Sequence, residues 1–213
     1  MASLAQASFL KSAVALADLD FPSAGEVAFV GRSNSGKSSA INTLVNRKRL
    51  AFTSRTPGRT QQINFFDLGD AKYLVDLPGY GYAKVAKSEH KRWGGFLTEY
   101  LQAREPLKAL VLIMDARHTF TVLDLQMLEW FVPRQLPVHV LMTKSDKLNR
   151  QEQQVCLRNA EARVSDYGPG VTVSLFSSLK ASGVEHLAEK VGNWLDLQIK
   201  SREERRHFAA TTP

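Results

Sequence analysis

One octapeptide constrains this chain more than any other feature: GRSNSGKS, Gly31 to Ser38. It matches G-x-x-x-x-G-K-[ST], follows the short apolar run EVAFV (Glu26–Val30), and leads into the helical pattern SAINTLV. Gly31 and Gly36 let the backbone curl, so that the amides of Arg32, Ser33, Asn34 and Ser35 can point inward at phosphate oxygens. The helix that follows offers the positive end of its dipole to the same anion. Lys37 supplies a compact cation for the outer phosphates, and the Ser38 hydroxyl is a ligand for Mg²⁺. A strand, a phosphate loop and a helix in this order predict an α/β sheet that binds its ligand at the carboxyl ends of its strands.

The rest of the chain supplies such a sheet. INFFDLGDAKYLVDL reads as two strands joined at Gly69-Asp70, and KALVLIMD, PVHVLMT and VTVSLF are further strands. Helical patterns lie between them: Thr121 to Phe131, stopped by Pro133; Asn149 to Tyr167, ended by Gly168; and a last helix opened by Ser182 and Glu185 at capping-box spacing. In that last helix Val184, Leu187, Ala188, Val191 and Leu195 share one apolar face, a packing stripe. The expected architecture is three-layered: a mostly parallel six-stranded sheet with one antiparallel strand and helices on both faces. Residues 1–25 read as an N-terminal extension, 26–200 as the nucleotide-binding domain and 201–213 as a basic C-terminal tail.

Composition excludes several alternatives. At 213 residues, 44% hydrophobic and 23% charged, the chain has enough apolar side chains for a sizeable core and is not a disordered tract. The one cysteine, Cys156, cannot form an internal disulfide or a cysteine metal site, and it reads as a small apolar helix residue suited to a reducing cytosol. The longest clearly apolar stretch, 109–114, is too short to span a bilayer, and the N-terminus lacks a basic n-region, so neither membrane insertion nor secretion is expected. His90, His118, His139, His186 and His207 show no metal spacing, and His139 reads as a core or edge residue of a strand.

Further motifs fall at strand ends. DLPG, Asp76 to Gly79, places Asp76 to hold Mg²⁺ through water and lets the Gly79 N–H approach a γ-phosphate. TPGRTQ offers Thr60, whose hydroxyl completes the Mg²⁺ shell only while the γ-phosphate is present. TKSD, Thr143 to Asp146, puts a carboxylate where it can accept from the N1–H and N2 amine of guanine, a donor pair that adenine lacks. The stem of Lys144 can lie against the base, and FSS, Phe176 to Ser178, can donate a backbone N–H to the guanine O6.

EVAFVGRSNSGKSSAIN, TPGRTQ, DLPGYGYA and TKSD, in this order, resemble the EngB (YihA/YsxC) family of bacterial GTPases, within the TrmE–Era-like group; the resemblance covers roughly residues 9–200. It implies a cytoplasmic GTP/GDP-binding protein, a monomer, that acts in assembly of the large ribosomal subunit and is needed for normal cell division and septation. It places nucleotide contacts on Gly31, Arg32, Ser33, Asn34, Ser35, Gly36, Lys37 and Ser38; on Gly58, Arg59, Thr60, Gln61 and Gln62; on Asp76, Leu77, Pro78 and Gly79; on Thr143, Lys144, Ser145 and Asp146; and on Phe176, Ser177 and Ser178. Magnesium falls on Ser38 and Thr60, with Asp76 behind a water. Lys37, Thr60, Gly79 and Asn34 are the candidate catalytic groups, Asn34 either as a K⁺ ligand near the phosphates or as an amide that stabilises the loop.

Two positions depart from the general GTPase pattern. Thr143 stands where N-K-x-D has asparagine, with the expected loss of one base or loop hydrogen bond. Tyr80 stands where many small GTPases carry a water-orienting glutamine, so intrinsic hydrolysis is expected to be slow. The formal charge of +7 is unevenly spread: Arg47, Lys48, Arg49, Arg55 and Arg59 surround the first switch, and Lys84, Lys87, Lys91 and Arg92 follow the second. Such a distribution lets GTP control contact with RNA phosphates; Lys200, Arg202, Arg205 and Arg206 form either a further contact or a solvated face. Tyr80, Tyr82 and Trp93 either stack on bases or pack around the switch. The rival functions are an ATP-using phosphotransferase, a non-enzymatic GTP-dependent module, and a division adaptor without ribosome contact.

Overall fold

The computed structural model describes residues 2–51, 62–80 and 95–197. The strands are β1 (Ser8–Ala13), β2 (Gly25–Gly31), β3 (Ile63–Asp67), β4 (Lys72–Asp76), β5 (Leu107–Asp115), β6 (Val138–Thr143) and β7 (Val171–Leu175). The helices are α1 (Lys37–Leu44), α2 (Phe96–Ala103), α3 (Val122–Phe131), α4 (Arg150–Ser165) and α5 (Val184–Trp194). One sheet runs in the order β1-β3-β4-β2-β5-β6-β7. β3 is antiparallel to both of its neighbours and the other ladders are parallel, so β3 is the single reversed strand.

The sheet therefore has seven strands where the sequence pattern predicts six. The additional strand is β1, which lies within the segment read as an N-terminal extension. It escapes detection because it is an edge strand: Phe9 and Leu10 are exposed side by side, and the pairing register slips between Phe9 and Lys11. That slip breaks the alternation by which a half-buried strand is recognised.

The central strands are buried on both faces and sort their side chains with period two. From β2, Ala28 and Val30 enter one cluster and Val27 and Phe29 the other. From β5, Leu110, Leu112 and Met114 face the first, and Ala109, Val111 and Ile113 the second. The first cluster is closed by α2, α3 and α4 through Tyr100, Leu101, Leu128, Phe131 and Ala160. The second is closed by α1 and α5 through Ile41, Leu44, Leu187, Val191 and Leu195, so the expected stripe on the last helix is core. Fully burying one such side chain contributes about 1.5–3 kcal/mol.

Local signals hold in most places. The β3–β4 turn carries Gly69, Asp70 and Ala71 at φ of 91°, 51° and 54°. Asn149 caps α4 by accepting from the Glu152 N–H at 3.0 Å, while the Glu152 carboxylate accepts from the Asn149 N–H at 2.7 Å. The box expected at Ser182 and Glu185 does not form. Gly183, at φ 77°, is the residue that starts α5, and the Ser182 backbone pairs with Ser177 instead. That pairing draws Ser182 back towards β7 and away from the helix end.

Candidate nucleotide site at the carboxyl ends of the strands

β2 ends at Gly31, beside β5, where a Cβ would lie 2.6 Å from the Ile113 carbonyl oxygen. Only glycine lets the chain leave the sheet here. Asn34 (φ 64°) and Gly36 (φ 96°) take left-handed backbone, and the curl closes with the Ser35 N–H donating to the Arg32 carbonyl at 3.0 Å. α1 begins immediately after Gly36, so its free N–H groups face the concave side of the loop. Lys37 and Asp76 meet at the mouth of this cradle as an ion pair between side chains 12% and 8% exposed. The phosphate cation and the magnesium-directed acid predicted from sequence thus share one spot. Donors to phosphate, a hydroxyl on Ser38 and a carboxylate on Asp76 are oxygen and nitrogen groups of the kind that a nucleotide–Mg²⁺ pair requires.

The DLPG segment lies against the loop. Tyr80 N–H donates to the Gly31 carbonyl at 3.2 Å, and the Ser33 N–H donates to the Tyr80 carbonyl at 2.9 Å. The side chain of Leu77 is in the core, as is that of Phe176, so these two positions can offer only backbone groups to a ligand. Thr60, Gly58, Arg59 and Gln61 lie outside the described residues, as do Tyr82, Trp93 and the cations at 84, 87, 91 and 92; Gln62 is described, immediately before β3.

The base-reading segment follows β6. Asp146 is 7% exposed in its side chain and is held by the Ser177 hydroxyl, which donates to its Oδ1 at 2.5 Å, with Lys147 Nζ 4.0 Å from Oδ2. Ser177 in turn accepts from the Lys180 N–H at 3.1 Å. The FSS segment therefore orients the carboxylate directly. Phe176 is placed by the N–H it donates to Met142 and by the carbonyl that receives the Ser145 N–H. Ser178 is half-buried at the rim.

Thr143 does not lose its loop hydrogen bond. Its hydroxyl reaches the Ser35 carbonyl of the phosphate loop and lies 3.0 Å from the Met114 carbonyl. Lys144, in left-handed backbone at φ 58°, donates from Nζ to the Asn34 carbonyl at 2.7 Å. Two adjacent residues thus clamp the base-reading segment onto the phosphate loop.

Two carboxylates in this region were not singled out from sequence. Asp115, ending β5, receives the Arg117 guanidinium at 2.7 Å and Lys144 Nζ at 3.0 Å. Burial opposes its charge, but the hydrogen bonds from Arg117 and then Lys144 outweigh it and hold the carboxyl well below the usual carboxylate range. Asp124, fully buried at the start of α3, accepts from the Thr121 N–H at 2.9 Å and hydroxyl at 2.7 Å, and from the Tyr80 hydroxyl at 2.6 Å. Arg32 Nε stands 3.5 Å from Oδ2, the oxygen that Thr121 also holds, and Arg32 Nη2 donates to the His118 carbonyl at 2.8 Å. A terminal Asp on the apolar run KALVLIMD and the T-x-x-D spacing of Thr121 and Asp124 were the available signals.

Tyr80 is accordingly 3% exposed, with its ring in the core and its hydroxyl on Asp124. It packs and does not stack on bases. Arg32 turns its side chain away from the cradle and leaves its backbone there. His139 is likewise interior: its ring nitrogens lie 2.8 Å from the Thr172 hydroxyl and 2.9 Å from that of Ser174. Cys156 packs with Sγ 3.4 Å from the Ala116 carbonyl, and burial pushes its thiol up. Among the described residues no helix is long and apolar enough to cross a membrane.

Residues 26–144 match the family described as 50S ribosome-binding GTPase. A probable GTP-binding protein EngB of Dechloromonas aromatica is 51% identical over 200 residues, covering 93% of this chain and 91% of that protein. Its counterpart in Aromatoleum aromaticum is 56% identical over 176 residues, covering 83% and 82%. Among solved structures, a probable GTP-binding protein EngB shares the fold at a TM-score of 0.63 and 18% identity, covering 81% of this chain and 99% of that one. Era in complex with MgGDPNP and a fragment of 16S ribosomal RNA aligns at 0.58 and 22% identity, covering 84% of this chain and 58% of that one. With the phosphate loop, the paired Lys37 and Asp76 and the oriented Asp146 in one fold, the chain belongs to the EngB family of GTP-binding proteins.

Proposed function

We propose that this protein is a slow GTPase whose nucleotide state gates its binding to a precursor of the large ribosomal subunit in the cytoplasm, and that normal division and septation depend on that work. The observation that carries the reading is the fixed acceptor at Asp146, joined to the phosphate loop by Thr143 and Lys144. Ser177 leaves Asp146 turned as an acceptor pair for the N1–H and N2 amine of guanine, and adenine cannot answer it. The amides of residues 32–36 and Lys37 bind the phosphates, and the Gly79 N–H meets the third phosphate. Ser38 and Thr60 would hold Mg²⁺, with Asp76 acting through water, and the ion would supply charge neutralisation to the phosphates.

Burial of Tyr80 supports slow turnover. The position after D-x-x-G carries no side chain able to align a water, so a trigger has to come from a partner or a cation. Asn34, exposed on the rim of the loop, is the group through which K⁺ would act, and equal hydrolysis rates in K⁺ and Na⁺ with partner present would remove it from the mechanism. Arg47, Lys48 and Arg49 stand exposed in sequence just after α1 and suit RNA phosphates, in keeping with a family described as ribosome-binding.

Two measurements test the reading. Calorimetry with GTP and ATP should show binding of the first alone. Co-sedimentation with large-subunit precursors, run at two salt concentrations, should require GTP and weaken steeply with salt. Tight ATP uptake without guanine preference would overturn it, as would sedimentation indifferent to nucleotide.

A further inference from the structure

We propose that Tyr80, Asp124 and Arg32 form a latch that holds the Gly79 amide against the phosphate loop, so that Tyr80 and Asp124 are positioning residues for the third phosphate alone. The inference rests on the GTP reading given above and extends it to residues on α3 that touch no nucleotide. Gly79 lies between Leu77, whose N–H is tied to the Phe29 carbonyl, and Tyr80, so fixing Tyr80 closes the second end of the short span that aims the Gly79 N–H. Tyr80 is fixed at three points. Its N–H is on the Gly31 carbonyl at 3.2 Å, its carbonyl receives the Ser33 N–H at 2.9 Å, and its hydroxyl donates to Asp124 at 2.6 Å. The first two ties run to the loop itself; the third runs to a different layer of the molecule, at the start of α3.

The far anchor is built to stay in place. Asp124 is fully buried, and its carboxylate is filled by the Thr121 N–H and hydroxyl on one oxygen and by the Tyr80 hydroxyl on the other. Burial first, and the Asp124 charge second, push the Tyr80 phenol far above its usual value, so it remains a donor throughout the physiological range. Arg32 closes the circuit: it belongs to the loop, yet its guanidinium reaches the Asp124 carboxylate and the His118 carbonyl. The turn carrying these groups is itself strained, because Phe120 sits at φ 52° without being glycine. Its N–H contacts Met114 Sδ at 3.4 Å, and the Asp124 cap secures the next residue.

GDP has no third phosphate, so a latch acting through Gly79 has no purchase on it. Removing one hydroxyl from Tyr80 should therefore weaken binding of a non-hydrolysable GTP analogue by about fivefold, the worth of one hydrogen bond, while GDP stays within about twofold. A residue that merely stabilises the fold would change both nucleotides alike or neither. Tyr100→Phe makes the same chemical change in a second buried tyrosine far from the site, and it should lower the melting temperature without moving the ratio.

The experiment is calorimetric titration of wild type, Tyr80→Phe, Asp124→Asn and Tyr100→Phe with GDP and the GTP analogue, each checked by thermal melting. Selective loss of the analogue in Tyr80→Phe supports the latch, and Asp124→Asn reads the same shift if the first variant folds poorly. An unchanged GTP-to-GDP ratio in folded variants overturns the latch and leaves the GTP reading standing. Wild type that binds neither nucleotide overturns both.

Discussion

Two buried clusters in this molecule use the same three chemical groups, a tyrosine, a carboxylate and an arginine, and they differ in tightness. At the amino end of β2, Glu26 is fully buried; Arg104 grips it at 2.6 and 3.0 Å and the Tyr100 hydroxyl donates to it at 2.9 Å. Arg104 also lies over the Phe21 ring at 5.7 Å. At the carboxyl end, Asp124 has its tyrosine at 2.6 Å, but its arginine stands back at 3.5 Å with 26% of the side chain exposed. The first cluster joins α2 to the sheet and involves no ligand group. The second joins a phosphate loop to a neighbouring helix. The same chemistry serves as a rivet where the charges are closed off, and as an adjustable tie where one partner keeps access to water.

The comparison can be broken at several points. The largest effect is expected at the rivet: Glu26→Ala leaves the half-buried Arg104 without its partner and should cost about 3 kcal/mol in denaturant unfolding, with an unchanged nucleotide ratio. A cost below about 1 kcal/mol would remove the distinction between the two clusters. Next comes His139, a buried titratable group with hydroxyl partners and, among the described residues, no counter-ion. Burial, then Lys190 and His186, push its pKa down to about 3, so the folded ring stays neutral where the unfolded chain takes up a proton. Its contribution is full above the unfolded value of about 6.5 and is lost as pH falls from there towards about 3. Urea titrations at pH 7 and 5 should show His139→Asn recovering roughly 2 kcal/mol of the loss between them.

The tie should yield about 1 kcal/mol on Tyr80→Phe, read in GTP-analogue affinity, against a pure stability loss on Tyr100→Phe. The smallest effect calibrates the scale. Thr143→Ser keeps the hydroxyl on the Ser35 carbonyl and should leave affinity within about twofold, whereas Thr143→Val strands that carbonyl and costs about 1 kcal/mol or more.

What was legible in the sequence is what local chemistry specifies. The phosphate loop, the hairpin at Gly69-Asp70 and the buried strand in KALVLIMD follow from turn preferences and from an unbroken apolar run. Ser177 was legible only as a member of FSS; that its hydroxyl orients Asp146 is a contact across 31 positions of chain. Asp124 went unnoticed inside the Thr121 to Phe131 helix, where it closes a capping box with Thr121; its second partner, 44 residues away, comes from how the elements stack. β1 was missed because an edge strand need bury only one face, and Ser182 because its backbone found a better partner than a helix end. The double service of the Thr143 hydroxyl could not be read from a substitution in a motif, since it depends on the loop lying within reach.

The β3–β4 hairpin has one more consequence. The segment 52–61 enters β3, and β4 runs out into Pro78 and Gly79, with Asn64 registered opposite Asp76. Its turn is pinned at the far side, where the Ala2 N–H donates to Asp70 at 2.8 Å and the Ser3 N–H to the Leu68 carbonyl at 2.9 Å. The first residues of β3 and the last of β4 thus lie together at the open end of one hairpin, roughly 16 Å from its turn at five residues of about 3.3 Å each. A two-stranded ladder tied at its turn shifts as one piece, so a displacement at the start of β3 is carried to the end of β4.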